Sequence, residues 1–181
     1  IGSLGLRTDQ NSYSKEMNNP IEQLSPRFSL AYTLSDKLSL NFNVGKYFQL
    51  PAYTVMGYKD VNGELINKNN NLTYINNKHI VAGIEFNPEK YSKITIESFY
   101  KKYDNYPFLL GDSISLANLG GNFGVIGNEA VKSSSSGRSY GLEFLAQRKL
   151  SKSFYGILAY TWVRSEFRNK YDNYAPSAWD N

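Results

Sequence analysis

The segment from Leu38 to Pro51, LSLNFNVGKYFQLP, limits what the chain can fold into more than any other stretch. Leu38, Leu40, Phe42, Val44, Phe48 and Leu50 fall on one side of an extended backbone, interrupted only by Lys46. Ser39, Asn41, Asn43, Gly45, Tyr47 and Gln49 fall on the other. The alternation runs for 13 residues, from 38 to 50. A strand in a globular sheet is typically about 5 or 6 residues long, whereas a tilted strand crossing a bilayer needs about 9 to 11. The run is therefore long enough to span a membrane, though its apolar face could equally cover the core of a soluble sandwich.

The same period recurs along the chain and predicts about seven strands, over residues 1–7, 26–34, 38–50, 79–86, 94–106, 138–150 and 154–166. The last alternates poorly, because Ile157, Ala159 and Val163 put apolar groups on its wet side. The connections between these runs are 18, 3, 28, 7, 31 and 3 residues long. In an antiparallel meander successive connections lie at opposite ends of the sheet, so every long one is at one end and every short one at the other. Membrane barrels segregate long external loops from short periplasmic turns in this way. A soluble domain has no reason to do so, and loops longer than about 15 residues are uncommon in compact folds. The expected fold is all-β: an antiparallel up-and-down meander forming part of a transmembrane β-barrel, with no helix beyond a turn or two and with unpaired edge strands.

Composition agrees. There are 15 Tyr and 10 Phe against 2 Met, a balance that favours pleated sheet over helix. No stretch of about 18 apolar residues exists to make a membrane helix. Without cysteine the chain has neither disulfides nor thiolate metal sites, and a net charge of +4 is too small to indicate nucleic acid. Aromatic residues cluster towards the strand ends, with Phe28, Phe48, Tyr100, Tyr140, Tyr160 and Trp162 near the long loops and Phe86 and Phe154 near the short turns. Such belts form where hydrocarbon meets water.

The order of GLRTD (5–9), SPRFSLAYTLSDKLSLNFNVGKYFQLP (25–51), HIVAGIEF (79–86), ESFYKKYDNYPF (97–108) and SYGLEFLAQRKL (139–150) resembles the barrel of TonB-dependent outer-membrane receptors. The resemblance implies residence in the cell outer membrane and a share in a barrel of 22 strands plugged by an N-terminal domain. It also implies uptake of a scarce nutrient, such as a siderophore, glycan or peptide. The implied partners are outer-membrane lipid, the remaining strands and plug, the TonB energy-transducing complex acting through that plug, and the nutrient itself. No plug-like region, TonB-contacting box or closing aromatic strand is legible here, so residues 1–181 are expected to be an internal piece of a barrel domain.

Strand parity places Arg27, Glu85, Glu97, Lys101 and Glu143 on the wet, lumen-facing side, the three glutamates opposite Ile84, Ile96 and Leu142. The carboxylates suit a hydrated wall better than a glycosidase pair, and neither a catalytic set nor a cofactor site is expected. His79, the sole histidine, lacks companions for a metal site and suits a strand end. Asp60, Asn62 and Gly63 are better explained as a hairpin turn than as a calcium loop. The Gly-rich stretch around Phe123 lacks the ending of a phosphate loop.

Ligand contacts are expected among the loop aromatics Tyr53, Tyr58, Tyr74, Phe123, Tyr171 and Trp179, which offer flat faces to a sugar, peptide or chelate ring. Six basic groups, Lys37, Lys90, Lys93, Arg148, Lys149 and Lys152, stand against Asp36 and Glu89 at the short-turn end, which places the excess charge at that rim. The rival reading, a surface adhesin or ligand-binding module built on a soluble β-sandwich, requires two face-packed sheets.

Overall fold

The computed structural model describes residues 1–119, 127–151 and 153–180. Its strands are β1 (Gly2–Arg7), β2 (Ser25–Ser35), β3 (Leu38–Gln49), β4 (Ile75–Phe86), β5 (Ser92–Leu109), β6 (Val131–Ser151), β7 (Phe154–Arg168) and β8 (Tyr174–Pro176). They form one sheet in strict chain order, antiparallel throughout. β1 and β8 are its open edges, each paired on one side only. A single sheet without crossover excludes the sandwich. Two one-turn helices, α1 (Tyr53–Met56) and α2 (Ile66–Asn69), lie in the loop after β3, and a 3-10 turn at Leu116–Asn118 follows β5.

The sheet departs from the sequence expectation at its upper, long-loop end. β4 begins at Ile75 rather than 79, β5 continues to Leu109 and β6 starts at Val131, and the short β8 is an additional eighth strand. The added residues, such as Asn76, Asn77 and Ser133, carry no apolar alternation because neither face meets hydrocarbon there. Their backbone groups still require partners, and the ladder continues through Gln49 opposite Ile75 and Leu109 opposite Val131.

Register across the sheet sorts its two faces. Tyr32, Leu40, Ile84, Ile96, Phe144 and Tyr160 are successive cross-strand partners on β2 to β7, and Leu30, Phe42, Ala82, Ser98, Leu142 and Trp162 make the next row. This face is open to its surroundings despite its chemistry: Ile84 is 48% exposed and Ile96 51%. Uncovered Leu, Ile, Tyr and Trp over six strands are what a wall facing lipid displays.

The buried core lies instead among the loops. Val55, Met56, Leu72, Leu109 and Val131 form one cluster, with Tyr13, Leu50, Ile114, Leu116 and Leu119 against it. Asn67, fully buried, ties this cap together. Its Nδ2 donates to the carbonyls of Val55 (2.7 Å) and Glu129 (2.9 Å), and its Oδ1 accepts the Val131 N–H at 2.7 Å. The Tyr13 hydroxyl donates to the Met56 carbonyl at 2.7 Å, and burial raises that phenol above the usual tyrosine range. The cap sits over the polar face of the sheet. Val131, Ser135, Gly137, Ser139 and Gly141 of β6 are buried on that face, while lower down β6 opens again.

Candidate functional site

Arg27, Glu85, Glu97, Lys101 and Glu143 share the polar face, because each occupies the parity of Asn41 and Gly45 in the cross-strand register. They divide by height. Glu85, near the short turns, is held by Lys93 at 2.6 Å and by the Asn87 amide at 3.0 Å. Glu97 and Glu143 face each other directly on β5 and β6, and neither has an ion-pair partner among the described residues. Above them, just under the cap, Arg27, Gly45, His79 and Lys101 are successive partners on β2 to β5.

This upper row is where positive charge meets aromatic surface. The Arg27 guanidinium carbon lies 4.2 Å from the Tyr47 ring centroid, and Tyr47 lies 4.1 Å from the His79 ring, tilted by 36°. Lys101 reaches over Phe99 at 5.0 Å. Gly45 makes the arrangement possible, because a Cβ there would come within 2.8 Å of the Tyr47 ring. Without one, the ring folds back along its own strand beneath Arg27.

A second aromatic group adjoins on β5 and β7. A bulge between Tyr103 and Tyr106, with Asn105 at φ 60°, turns both tyrosines to the same side. Both pack on Phe167, at 5.4 and 4.8 Å between centroids, and Phe167 covers Gly137. The combined surface offers fixed cations and flat rings, which suits anionic or carboxylate-bearing groups with planar parts. Among the described residues it contains no cluster of metal-ligating side chains.

The loop aromatics are scattered. Tyr53 at the start of α1 is 80% exposed, and Tyr171 and Trp179 beyond β7 are also exposed; Tyr58 is half-buried. Tyr74 is a packing residue, buried with its ring edge-on to Phe48 at 6.3 Å. Phe123 lies outside the described residues. Sequence reasoning passed over Tyr47 and treated His79 as a strand end. His79 is interior to β4, whose first four residues carry no alternation. Tyr47 did carry a signal: it is an aromatic on the wet side of the most regular strand, in register with neither belt.

The turn at Asp60 is organised by the acid rather than by Asn62-Gly63 alone. Its carboxylate accepts the N–H groups of Asn62 and Glu64, both at 2.9 Å, and the flanking residues Lys59 and Leu65 bridge. Those hydrogen bonds, led by Glu64, hold the Asp60 carboxyl below its ordinary range.

Lys37, Lys90, Lys93, Arg148 and Lys149 all lie at the short-turn end of the sheet; the Lys149 N–H bonds the Tyr91 carbonyl at 2.8 Å, and Arg148 pairs with Glu89 at 3.4 Å. Lys152 lies outside the described residues. The register also assembles a second row of cations at the opposite end, on the apolar face, which the net charge of the chain does not reveal.

The TonB dependent receptor-like β-barrel model matches residues 1–181. The chain belongs to that family. It is a segment of an outer-membrane β-barrel, and the family is one of receptors and transporters rather than enzymes. Among solved structures the chain is similar to the alcaligin outer-membrane receptor FauA of Bordetella pertussis, at 18% identity and a TM-score of 0.55. The alignment covers 86% of this chain and 24% of FauA, so the chain spans about a quarter of that receptor. No curated protein matches. Family membership orients the sheet: its apolar face meets lipid, its polar face the lumen, and its long loops the exterior.

Proposed function

We propose that this chain supplies a sector of the wall and of the external cap of a receptor that imports a scarce nutrient with energy delivered by TonB. The lumen-facing row Arg27, Tyr47, His79 and Lys101 carries this reading. It sets two cations and two rings under a cap that is packed rather than loose, which favours capture of an anionic chelate over an open pore. FauA, the structural neighbour, is an alcaligin receptor, and ferric siderophores are accordingly the first class to try. The exposed rings of Tyr53, Tyr171 and Trp179 are the outer contacts, with the lumen row as the second station.

The test uses the intact receptor in an iron-restricted strain, supplied in turn with alcaligin and with other siderophores in their iron-loaded form. Growth on at least one, lost in Arg27→Ala/Lys101→Ala at unchanged surface expression, is the expected outcome. Wild-type growth of that double variant on every chelate the receptor transports would remove the lumen row from the mechanism.

A further inference from the structure

We propose that the outer face carries a site for one phosphorylated lipid of the external leaflet, with phosphate on Lys46, Lys78 and Lys102 and an acyl chain in the groove below them. The proposal rests on the outer-membrane orientation given above, since it needs the loop end to be external. It does not depend on what the receptor imports.

The three lysines come from β3, β4 and β5 and are direct cross-strand partners, Lys46 opposite Lys78 and Lys78 opposite Lys102. Arg138 on β6 continues the row. All have the parity of Val44, Ile80 and Tyr100, which puts them on the lipid side. Like charges directly opposite one another destabilise a sheet, so a row of them calls for a counter-charge.

The protein supplies only part of it. Arg138 is neutralised by Glu166 at 2.9 Å, and Arg164 by Glu166 and Asp180 at 3.2 and 2.9 Å. The lysines share a single carboxylate, Asp104, at 3.6 Å from Lys78 and 3.8 Å from Lys102. Lys46 has no carboxylate partner among the described residues, and its ammonium lies 4.5 Å from the Phe48 ring centroid. Three ammonium groups and one carboxylate leave an excess of two positive charges, which suits a phosphate monoester.

Directly beneath, a groove of about 790 Å³ opens on the same face, lined by Leu4, Leu6, Phe28, Val44, Ile80 and Tyr100, with the three lysines at its upper edge. An apolar channel in a lipid-facing wall is filled by hydrocarbon, and a charged edge at headgroup height selects which lipid that hydrocarbon belongs to. Solvated lysines at a rim need no groove. This row sits on one.

The experiment uses the intact receptor, delipidated in neutral detergent and re-exposed to diphosphorylated lipid A, to its dephosphorylated form, or to phosphatidylcholine. Native mass spectrometry counts the lipid retained. One diphosphorylated lipid per molecule is expected, with the other two lost. Each lysine is expected to contribute about fivefold in affinity and the set about a hundredfold, so Lys46→Gln/Lys78→Gln/Lys102→Gln should release the lipid. Ile80→Trp, which fills the groove and leaves the lysines intact, should weaken retention too. Folding of each variant is read from heat-modifiable gel mobility. If the triple variant fails to fold, Lys46→Gln alone carries the test, with a fivefold loss expected. Equal retention by wild type and the folded lysine variants, or equal retention of phosphatidylcholine, would overturn the site.

Discussion

The lipid-facing wall and the loop cap use the same residue types to opposite ends. In the wall, Leu40, Ile84, Ile96 and Leu142 stay exposed on the protein itself, and the bilayer completes their burial. In the cap, Val55, Leu72, Leu109 and Val131 are fully enclosed by protein, and a buried Asn67 fixes the loops by bonding three backbone groups. The wall takes its order from the backbone ladder and leaves side-chain burial to the solvent. The cap uses the ladder where Leu109 pairs with Val131 and elsewhere takes its order from packing and side-chain bonds to backbone. One region is therefore robust to small apolar exchanges and intolerant of charge, whereas the other is sensitive to any change of shape.

The comparison breaks most visibly at Ile96. Ile96→Arg should destabilise the folded barrel by about 2–4 kcal/mol, the cost of a cation near the bilayer midplane, while Thr95→Arg, one residue away on the lumen side, should cost far less. Urea unfolding of the intact receptor in liposomes measures both. Equal costs would mean that the two faces are wrongly assigned.

In the cap, Asn67→Leu leaves the Val55 and Glu129 carbonyls and the Val131 N–H without their partner. The expected loss is about 2–3 kcal/mol, confined to the loops. Hydrogen exchange should show faster exchange at Val131 with the centre of β4 unchanged. Loss of protection throughout β4 would show that wall and cap are one cooperative unit.

Gly137→Ala sits where the two regions meet. A Cβ there would fall 2.4 Å from the Phe167 ring, and displacing that ring from Tyr103 and Tyr106 should cost about 1–3 kcal/mol. Gly5→Ala, with its nearest neighbour at 3.8 Å, should be close to silent in the same unfolding assay.

The smallest effect concerns Asp60. Its carboxyl is lowered in the folded loop, so its contribution is present above the unfolded carboxylate range and is lost as pH falls through the folded value. Protection of the Glu64 amide, measured against its intrinsic exchange rate at each pH, should fall on acidification in wild type. In Asp60→Ala it should be low at every pH.

The sequence by itself determined seven of the eight strands, their order and their faces. Leu38 to Leu50 can lie in only one register without moving its apolar side into the lumen, and the alternating connection lengths leave only a meander. Above the membrane this signal ends. Asn76, Asn77 and Ser133 alternate nothing, so the extension of β4, β5 and β6 was hidden, and the bulge that turns Tyr103 and Tyr106 to one side leaves no periodic trace. The tertiary structure alone decided what lies beside what: Tyr47 between Arg27 and His79, Asn67 among three backbone groups, and Lys46, Lys78 and Lys102 in a single row. The lysines are 56 residues apart from first to last. Charge arithmetic along the chain balances them against distant loop acids. Only the hydrogen-bond ladder, which makes partners of residues by strand register rather than by sequence distance, brings them together on one face.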